Sequence, residues 1–262
     1  MENLAEAILD FCSESPEARA YAETHLGRFV KTVELTPPGA PGERLLEMGA
    51  YFQITPIFPR LGYSEVRGCY LGPAGAAKRK EVVSASGQRF ACTVDFFDAE
   101  ADPFPYPDGW FATVVCCELV EHLGEDPMAM MAEINRVLRP GGRLVLSTPN
   151  LCAWRAVAAV LTGYHPNLYG YFTARRGGNK VEPRHAREYA PREVAKLLED
   201  AGFEVERLES TDCGLEPRTE FDWVRPIVEQ HGDPTVLRGE VVHALGRKTG
   251  PVAERFPAWL YD

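Results

Sequence analysis

The chain has 262 residues, a length that suits one large α/β domain with additions or two small domains. Its hydrophobic fraction of 45% and charged fraction of 25% are ordinary for a soluble globular protein that can bury a core. A net charge of −10 argues against general nucleic-acid binding, because neutralising phosphates requires a basic face, although a local basic patch stays compatible with it.

The cellular compartment is indicated by three features that the sequence lacks: a membrane span, a signal peptide and a CxxC motif. No apolar run approaches the length of a membrane span, and the N-terminal MENLAEAILDFC has no cationic stretch before an apolar core. The cysteines are scattered and form no CxxC motif, which is typical of reduced thiols. We therefore expect a cytoplasmic protein without a membrane segment.

Residues 2–12 and 16–33 have helical periodicity, which predicts an N-terminal helical cap spanning 1–35. The breaker TPPGAPG separates this cap from the remaining 36–262, which we expect to form one domain. The predicted strands in this domain are, in chain order, 44–49, 65–71, 89–97, 111–117, 143–149, 203–209 and 240–247. The predicted helices between them are 53–61, 126–138, 152–162 and 191–203.

Three further segments complete this pattern. Residues 73–80, PAGAAKRK, are expected to be a loop or a short helix, and the Pro-Gly-Gly at 140–142 is expected to close the preceding helix. Residues 163–188 have no clear period and form an insertion after the fifth strand. Strands that alternate with helices predict an α/β fold with a mostly parallel, seven-stranded sheet covered by helices on both faces.

Acidic residues follow two of the predicted strands. The first strand ends in Glu47-Met48-Gly49, and Asp98 and Glu100 follow the third. Ligands bind outside the carboxyl ends of strands in open parallel sheets, where carboxylates can accept hydrogen bonds and glycine allows close backbone approach. In the alternative interpretation, Gly49 only serves the turn from strand to helix.

Several motifs carry a family resemblance that covers roughly residues 43–205. They are LLEMGAYFQITP, PYPDGWF, ELVEHL, EINRVLRPGGRLVLSTPN and YAPREVAKLLEDAGF, in that order. In this order they resemble class I S-adenosylmethionine-dependent methyltransferases of the type 11 family. The resemblance implies a Rossmann-like fold and S-adenosylmethionine as cofactor. It also implies roles for Glu47 and Gly49 beside the methionine moiety, for Asp98 and Ala99 at the adenine, and for Cys117 and Glu118 in lining the site.

The chain departs from the family pattern at the cofactor end. Only Gly49 remains of the three glycines usual in the first loop, and Tyr51 and Gln53 occupy the other places. Tyr70 stands nearest to the position of the acid that normally grips the ribose hydroxyls. Gln53 and Tyr70 are therefore the candidates for the missing polar contacts.

A metal motif follows the fourth predicted strand, where Glu118, Glu121 and His122 form the pattern ExxEH. Two carboxylates and an imidazole suit a hard or borderline divalent cation. The pattern resembles that of ubiquinone-pathway O-methyltransferases and small-RNA 3′-terminal 2′-O-methyltransferases, in which these residues bind Mg²⁺ or a similar ion. The small-RNA enzymes add a distant histidine, which corresponds to His185 in RHAREY. The resemblance thus implies Glu118, Glu121, His122 and His185 as ligands.

A metal held there would lower the pKa of a hydroxyl group and orient it for methyl transfer. We therefore expect an O-methyltransferase acting on a vicinal diol of a small molecule, such as a sugar or a phenolic metabolite, with Glu121, His122 and His185 as catalytic residues. In the alternative without metal, the acid caps a helix and His122 is the general base alone.

Other interpretations stay open. Residues 163–188 are either a substrate lid with stacking aromatics or an insertion packed on the sheet edge. The aromatics of the C-terminal ERFPAWLYD can be buried on the domain itself or on a second subunit, which would make a homodimer. RNA 3′-terminal 2′-O-methylation and a non-catalytic binding or regulatory role are the alternative functions.

Overall fold

Eight β-strands join into one sheet in the computed structural model, which describes residues 3–12, 15–167, 185–216, 218–231 and 236–261. The strands are β1 (Arg44–Met48), β2 (Glu65–Tyr70), β3 (Ala76–Val83), β4 (Arg89–Phe96), β5 (Phe111–Cys117), β6 (Leu138–Pro149), β7 (Phe203–Thr211) and β8 (Val241–Lys248). The α-helices are α1 (Leu4–Phe11), α2 (Pro16–Thr24), α3 (Leu26–Leu35), α4 (Pro127–Val137), α5 (Trp154–Leu161), α6 (Pro191–Asp200), α7 (Arg225–Gln230) and α8 (Ala258–Tyr261).

The strand order is β3-β4-β2-β1-β5-β6-β8-β7, and the five inner strands from β4 to β6 run parallel. The strands β3, β8 and β7 pair antiparallel with their neighbours. The predicted α/β class is confirmed, and each of the seven predicted strands is present. The sheet is mixed and has an eighth strand, because β3 adds to its outer edge.

Strand β3 corrects the interpretation of residues 73–80 as a loop or a short helix. It pairs antiparallel with β4 through a turn at Ser84–Gln88, where the Ser84 N–H donates to the Gln88 carbonyl. Nearly all of β3 is exposed, so the strand has no apolar face and leaves no alternating pattern in the sequence. The hydrogen bonds to β4 alone define this strand.

Three other local expectations differ from the structure. The helical segment 16–33 is two helices that meet at His25, and Gly27 there packs against the Gly214 backbone too closely for a Cβ atom. The helix expected at 53–61 is a 3-10 helix, Thr55–Leu61, because Pro59 cannot donate the hydrogen bond that an α-helix needs. Residues 140–142 lie inside β6, since α4 ends at Val137 and the strand begins directly.

Both faces of the sheet are buried by hydrophobic residues that alternate along the strands. Leu46 and Val114 face one cluster, which includes residues of α4 and α6, while Leu45 and Val115 face a second cluster with α1, α3 and the Thr55–Leu61 turn. The N-terminal helices thus share a core with the sheet. Among the described residues, every helix is too short or too polar to traverse a lipid bilayer.

Candidate active site

The carboxyl ends of the parallel strands carry the predicted cofactor residues, beginning with Glu47 in β1. The Glu47 side chain is buried, and its Oε2 atom has no hydrogen-bond partner among the described residues. Burial raises the pKa of the Glu47 carboxyl to about 8, because the charged form loses its hydration. The acid is therefore protonated in the folded protein at neutral pH and can donate as well as accept a hydrogen bond.

This raised pKa predicts a stability that falls as pH rises. Below pH 8 Glu47 holds its proton in the folded chain, whereas the unfolded chain releases it at the ordinary value of a carboxyl group. In the wild type, this difference should lower the free energy of unfolding by about 2 kcal/mol between roughly pH 6 and pH 7.5. We expect Glu47→Gln to abolish this decline. Urea denaturation across that range measures this change, with Glu81→Gln at an exposed position of β3 as the control that keeps the decline. If the free energy of unfolding fell equally with pH in the wild type and in Glu47→Gln, the assignment of a raised pKa to Glu47 would be contradicted.

The turn after β1 has the backbone conformation that glycine favours. Gly49 has φ +65°, and a Cβ atom there would meet nothing closer than 3.9 Å, so the space above it is open. Tyr51 and Tyr70 contact each other edge to face, with the Tyr70 hydroxyl 2.8 Å from that of Tyr51. This pair lies where the ribose-binding acid is missing from β2. Gln53 is half-buried, and its carbonyl accepts a hydrogen bond from the Cys12 thiol.

The predicted adenine residues form a tightly bonded turn after β4. The Asp98 carboxylate accepts a hydrogen bond from the Glu100 N–H, and Ala99 packs against the core. The Glu100 carboxylate in turn accepts from three backbone N–H groups, those of residues 124–126. This fixes the turn against the loop that follows β5, so the two sides of the candidate site are held together.

Strand β5 ends at Cys117 and Glu118 follows it, and both side chains contact the N-terminal helix α3. Burial raises the pKa of the Cys117 thiol to about 11, which keeps it protonated, and its sulfur lies 3.8 Å from the Thr32 hydroxyl. Glu118 has φ +52°, a strained value for a residue with a side chain. Its carboxylate pairs with Arg28 of α3 at 2.7 Å and accepts from the Ser147 hydroxyl at 2.9 Å.

Three side chains converge just beyond Glu118. Potential ligand atoms of Glu121, His122 and His185 all lie within 4.8 Å of one another. Glu121 is fully buried, and its Oε1 atom has no hydrogen-bond partner among the described residues. Burial, and then repulsion from the Glu118 carboxylate, raise the pKa of Glu121 well above its usual range. A positive charge in this cluster would favour the ionised acid.

Neighbouring polar groups hold these three side chains in place. The Thr148 hydroxyl donates to Glu121 at 2.9 Å, and Nδ1 of His185 lies 2.9 Å from the Glu188 carboxylate. A carboxylate bonded to Nδ1 holds the proton on that nitrogen, so that Nε2 carries the lone pair that binds metals. The segment that carries His185 is tied to the site by a β-bridge between Asn150 and Tyr189 and by the Ala186 N–H, which donates to the Glu121 carbonyl.

The structure thus brings together three of the four predicted metal ligands and places Glu118 apart from them, on Arg28. Sequence reasoning missed Arg28 and Thr148. Arg28 left no signal, because a buried arginine on an N-terminal helix resembles a solvated charge when the sequence alone is read. Thr148 lies near the end of the buried strand β6, which pairs with β5, and the ExxEH motif follows β5 directly. That strand pairing was the available clue. Of the predicted lid, residues 168–184 lie outside the described residues.

Comparisons with known proteins find similarity to methyltransferases. Residues 46–146 match the model of a methyltransferase domain. A ubiquinone biosynthesis O-methyltransferase from Aromatoleum aromaticum is 28% identical over 178 residues, which cover 65% of this chain and 68% of that protein. A Mycolicibacterium smegmatis protein, described as a probable S-adenosylmethionine-dependent methyltransferase, is 34% identical over 43% of this chain and 36% of its own length.

Residues 46–146 therefore resemble the methyltransferase domain of class I S-adenosylmethionine-dependent enzymes. The solved structure of a SAM-dependent methyltransferase from Archaeoglobus fulgidus shares the fold, with a TM-score of 0.53 and 16% identity over 87% of this chain and 98% of that one. The matched region spans well under half of the Mycolicibacterium relative.

The residues at the carboxyl ends of the strands suit S-adenosylmethionine, the cofactor that the resemblance implies. S-adenosylmethionine offers an amino group, ribose hydroxyls and an exocyclic amine, all of which need acceptors. Glu47 has an unpaired buried oxygen behind the open turn at Gly49, and the Tyr51 and Tyr70 hydroxyls and the Asp98 carboxylate lie along the same edge. The acceptors are therefore placed along the carboxyl ends of β1, β2 and β4, where open parallel sheets bind ligands.

Proposed function

We propose that this protein is an S-adenosylmethionine-dependent O-methyltransferase that binds a vicinal diol or catechol through a divalent cation. The observation that carries the proposal is the convergence of Glu121, His122 and His185 within 4.8 Å, although His185 lies far along the chain from the other two. The ubiquinone biosynthesis O-methyltransferases among the relatives support an oxygen acceptor.

The donor set suits a borderline cation. With Glu118 paired to Arg28, the ligands are one carboxylate and two imidazoles, which favour Mn²⁺, Co²⁺ or Zn²⁺ over the oxygen-preferring Mg²⁺. The Glu188 carboxylate at His185 is a typical outer contact of a metal-binding histidine. A cation held there would lower the pKa of an acceptor hydroxyl, making it a nucleophile at neutral pH.

The protein's own contribution is to position the reactants. Glu121, held by Thr148, and His185, held by Glu188, present fixed ligand atoms, while His122 is the partly exposed member of the cluster and lies on the side that a substrate can reach. The acidic side chains of Glu121 and Glu188 lie beside His185, which disfavours an RNA backbone at this position.

The test compares catechol with phenol as acceptors for radiolabelled S-adenosylmethionine, in excess Mn²⁺ or Mg²⁺ and in excess EDTA. We expect methylation of catechol and of vicinal diols, little of phenol, loss of activity in EDTA and recovery on adding a cation. Full activity in EDTA would instead favour His122 as a general base acting alone. Transfer to carbon or nitrogen acceptors only would contradict the proposal.

A further inference from the structure

A cleft of about 330 Å³ lies beside β2 and β4, on the opposite side of β1 from β5 and its Glu121 cluster. It exists because β3 and its turns connect the parallel strands β2 and β4, where a crossover helix is usual. No helix therefore covers this part of the sheet, since residues 71–88 are all described. The cleft is lined by Tyr51, Tyr70, Lys78, Lys80, Val94 and Phe96.

The charge of the cleft is positive. Lys78 and Lys80 are two positions apart on β3, so their side chains emerge on the same face, and both are exposed. Neither forms an ion pair within the described residues, and their partners across the ladder are Val94 and Cys92. Two unpaired like charges on one face repel each other, and this occurs in a chain of net charge −10. An anionic ligand would remove this repulsion.

The rest of the cleft is aromatic and apolar. Tyr51 and Tyr70 form an edge-to-face pair with ring centroids 5.2 Å apart, and Tyr51 is 61% exposed. Phe96 and Val94 form the floor on β4. The Lys80 ammonium lies 4.2 Å from the centroid of the Phe52 ring, which holds this charge beside the aromatic surface. Such a surface packs against a planar ring.

We propose that this cleft binds a phosphorylated small molecule that carries a planar ring. Lys78 and Lys80 bind the phosphate as paired point charges, and Tyr51, Tyr70 and Phe96 contact the ring. The volume is at the lower end of the range for small-molecule sites, which fits one ring and one phosphate. The cleft shares Tyr51 and Tyr70 with the proposed cofactor end, whereas its two lysines belong to neither the cofactor residues nor the Glu121 cluster.

The experiment measures binding of phenyl phosphate to the full chain by calorimetry, without a methyl donor. Phenol, inorganic phosphate and S-adenosylhomocysteine are the comparison ligands. We expect the double variant Lys78→Glu, Lys80→Glu to weaken phenyl phosphate binding by roughly tenfold or more, since each charged hydrogen bond contributes at least that factor. Raising the ionic strength from about 0.01 M to about 0.15 M should weaken it too.

The matched control is Arg79→Glu, which reverses one charge, half of the double variant's charge change, on the same strand but on the opposite face. It should leave phenyl phosphate binding within about twofold of wild type, because a screened surface charge contributes little. Equal losses in Arg79→Glu and the double variant, or no binding by wild type, would overturn the proposal. A parallel loss of S-adenosylhomocysteine binding in the double variant would also overturn it, because the cleft would then be part of the cofactor site. Failure of the methylation assay leaves this result unaffected.

Discussion

Glu121→Gln is expected to weaken Mn²⁺ binding and metal-dependent methyl transfer by about 100-fold or more while leaving the fold intact. Glutamine has the shape of the protonated acid and keeps an oxygen for the Thr148 hydroxyl, so the buried site loses no volume and no contact. What it lacks is the negative charge that a cation requires. Because the Glu121 side chain is fully buried, solvent cannot compensate for the loss of that charge.

Two measurements test this expectation. Calorimetric titration with Mn²⁺ gives the affinity, and thermal unfolding without metal gives the stability. The matched control is Glu125→Gln in the exposed part of the same loop, which should bind Mn²⁺ as wild type does. The Mn²⁺ affinity of Glu188→Ala should lie between those of Glu121→Gln and Glu125→Gln, about tenfold below wild type, because His185 would lose its orienting carboxylate. Unchanged Mn²⁺ affinity in Glu121→Gln would refute the metal site.

The second large effect is expected from Arg28→Met, which should lower the free energy of unfolding by about 2 to 3 kcal/mol. The side chains of Arg28 and Glu118 are only 8% and 20% exposed, so removing the guanidinium leaves a poorly hydrated carboxylate. The loss should be largely reversed by adding Glu118→Gln, which removes the uncompensated charge.

Urea denaturation at neutral pH measures both variants. Arg89→Ala is the control, since it removes a comparable contact from the exposed pair between Arg89 and Glu81 and should cost less than about 1 kcal/mol. If Arg28→Met were no more destabilising than Arg89→Ala, the ion pair would not fasten α3 to the site. If Glu118→Gln failed to restore stability, lost packing of the arginine stem would be the cause.

The parts of the fold that the sequence predicted are those where burial imposes a pattern. Strand β5 and the second half of β6 are continuous apolar runs because both faces of the sheet are covered, and they appear at the predicted positions. Strand β3 was missed because it lies at the edge with every residue except Val82 exposed, so no alternating burial pattern marks it. Next to the helix break at His25, Gly27 packs against the distant Gly214 backbone, a contact that no local pattern signals.

The candidate site, too, has a part that the sequence predicted and a part that it did not. Glu121 and His122 are local neighbours in a short motif, and His185 was added through the resemblance; the fold brings all three together. Glu118 belongs to the same motif in the sequence, but its side chain pairs with Arg28 because its backbone adopts φ +52° at the end of β5. A motif gives the spacing of residues along the chain. The direction of each side chain depends on backbone angles and on partners from distant segments.

The position of β8 between β6 and β7 has a consequence for the order in which the chain can fold. Among the described strands, β7 joins the sheet only through β8, which comes after it in the chain. During synthesis residues 203–211 must therefore remain unpaired until residues 241–248 have left the ribosome. The parallel strands β1, β2, β4, β5 and β6 can assemble earlier, so completion of the antiparallel edge is expected to be a late step of folding.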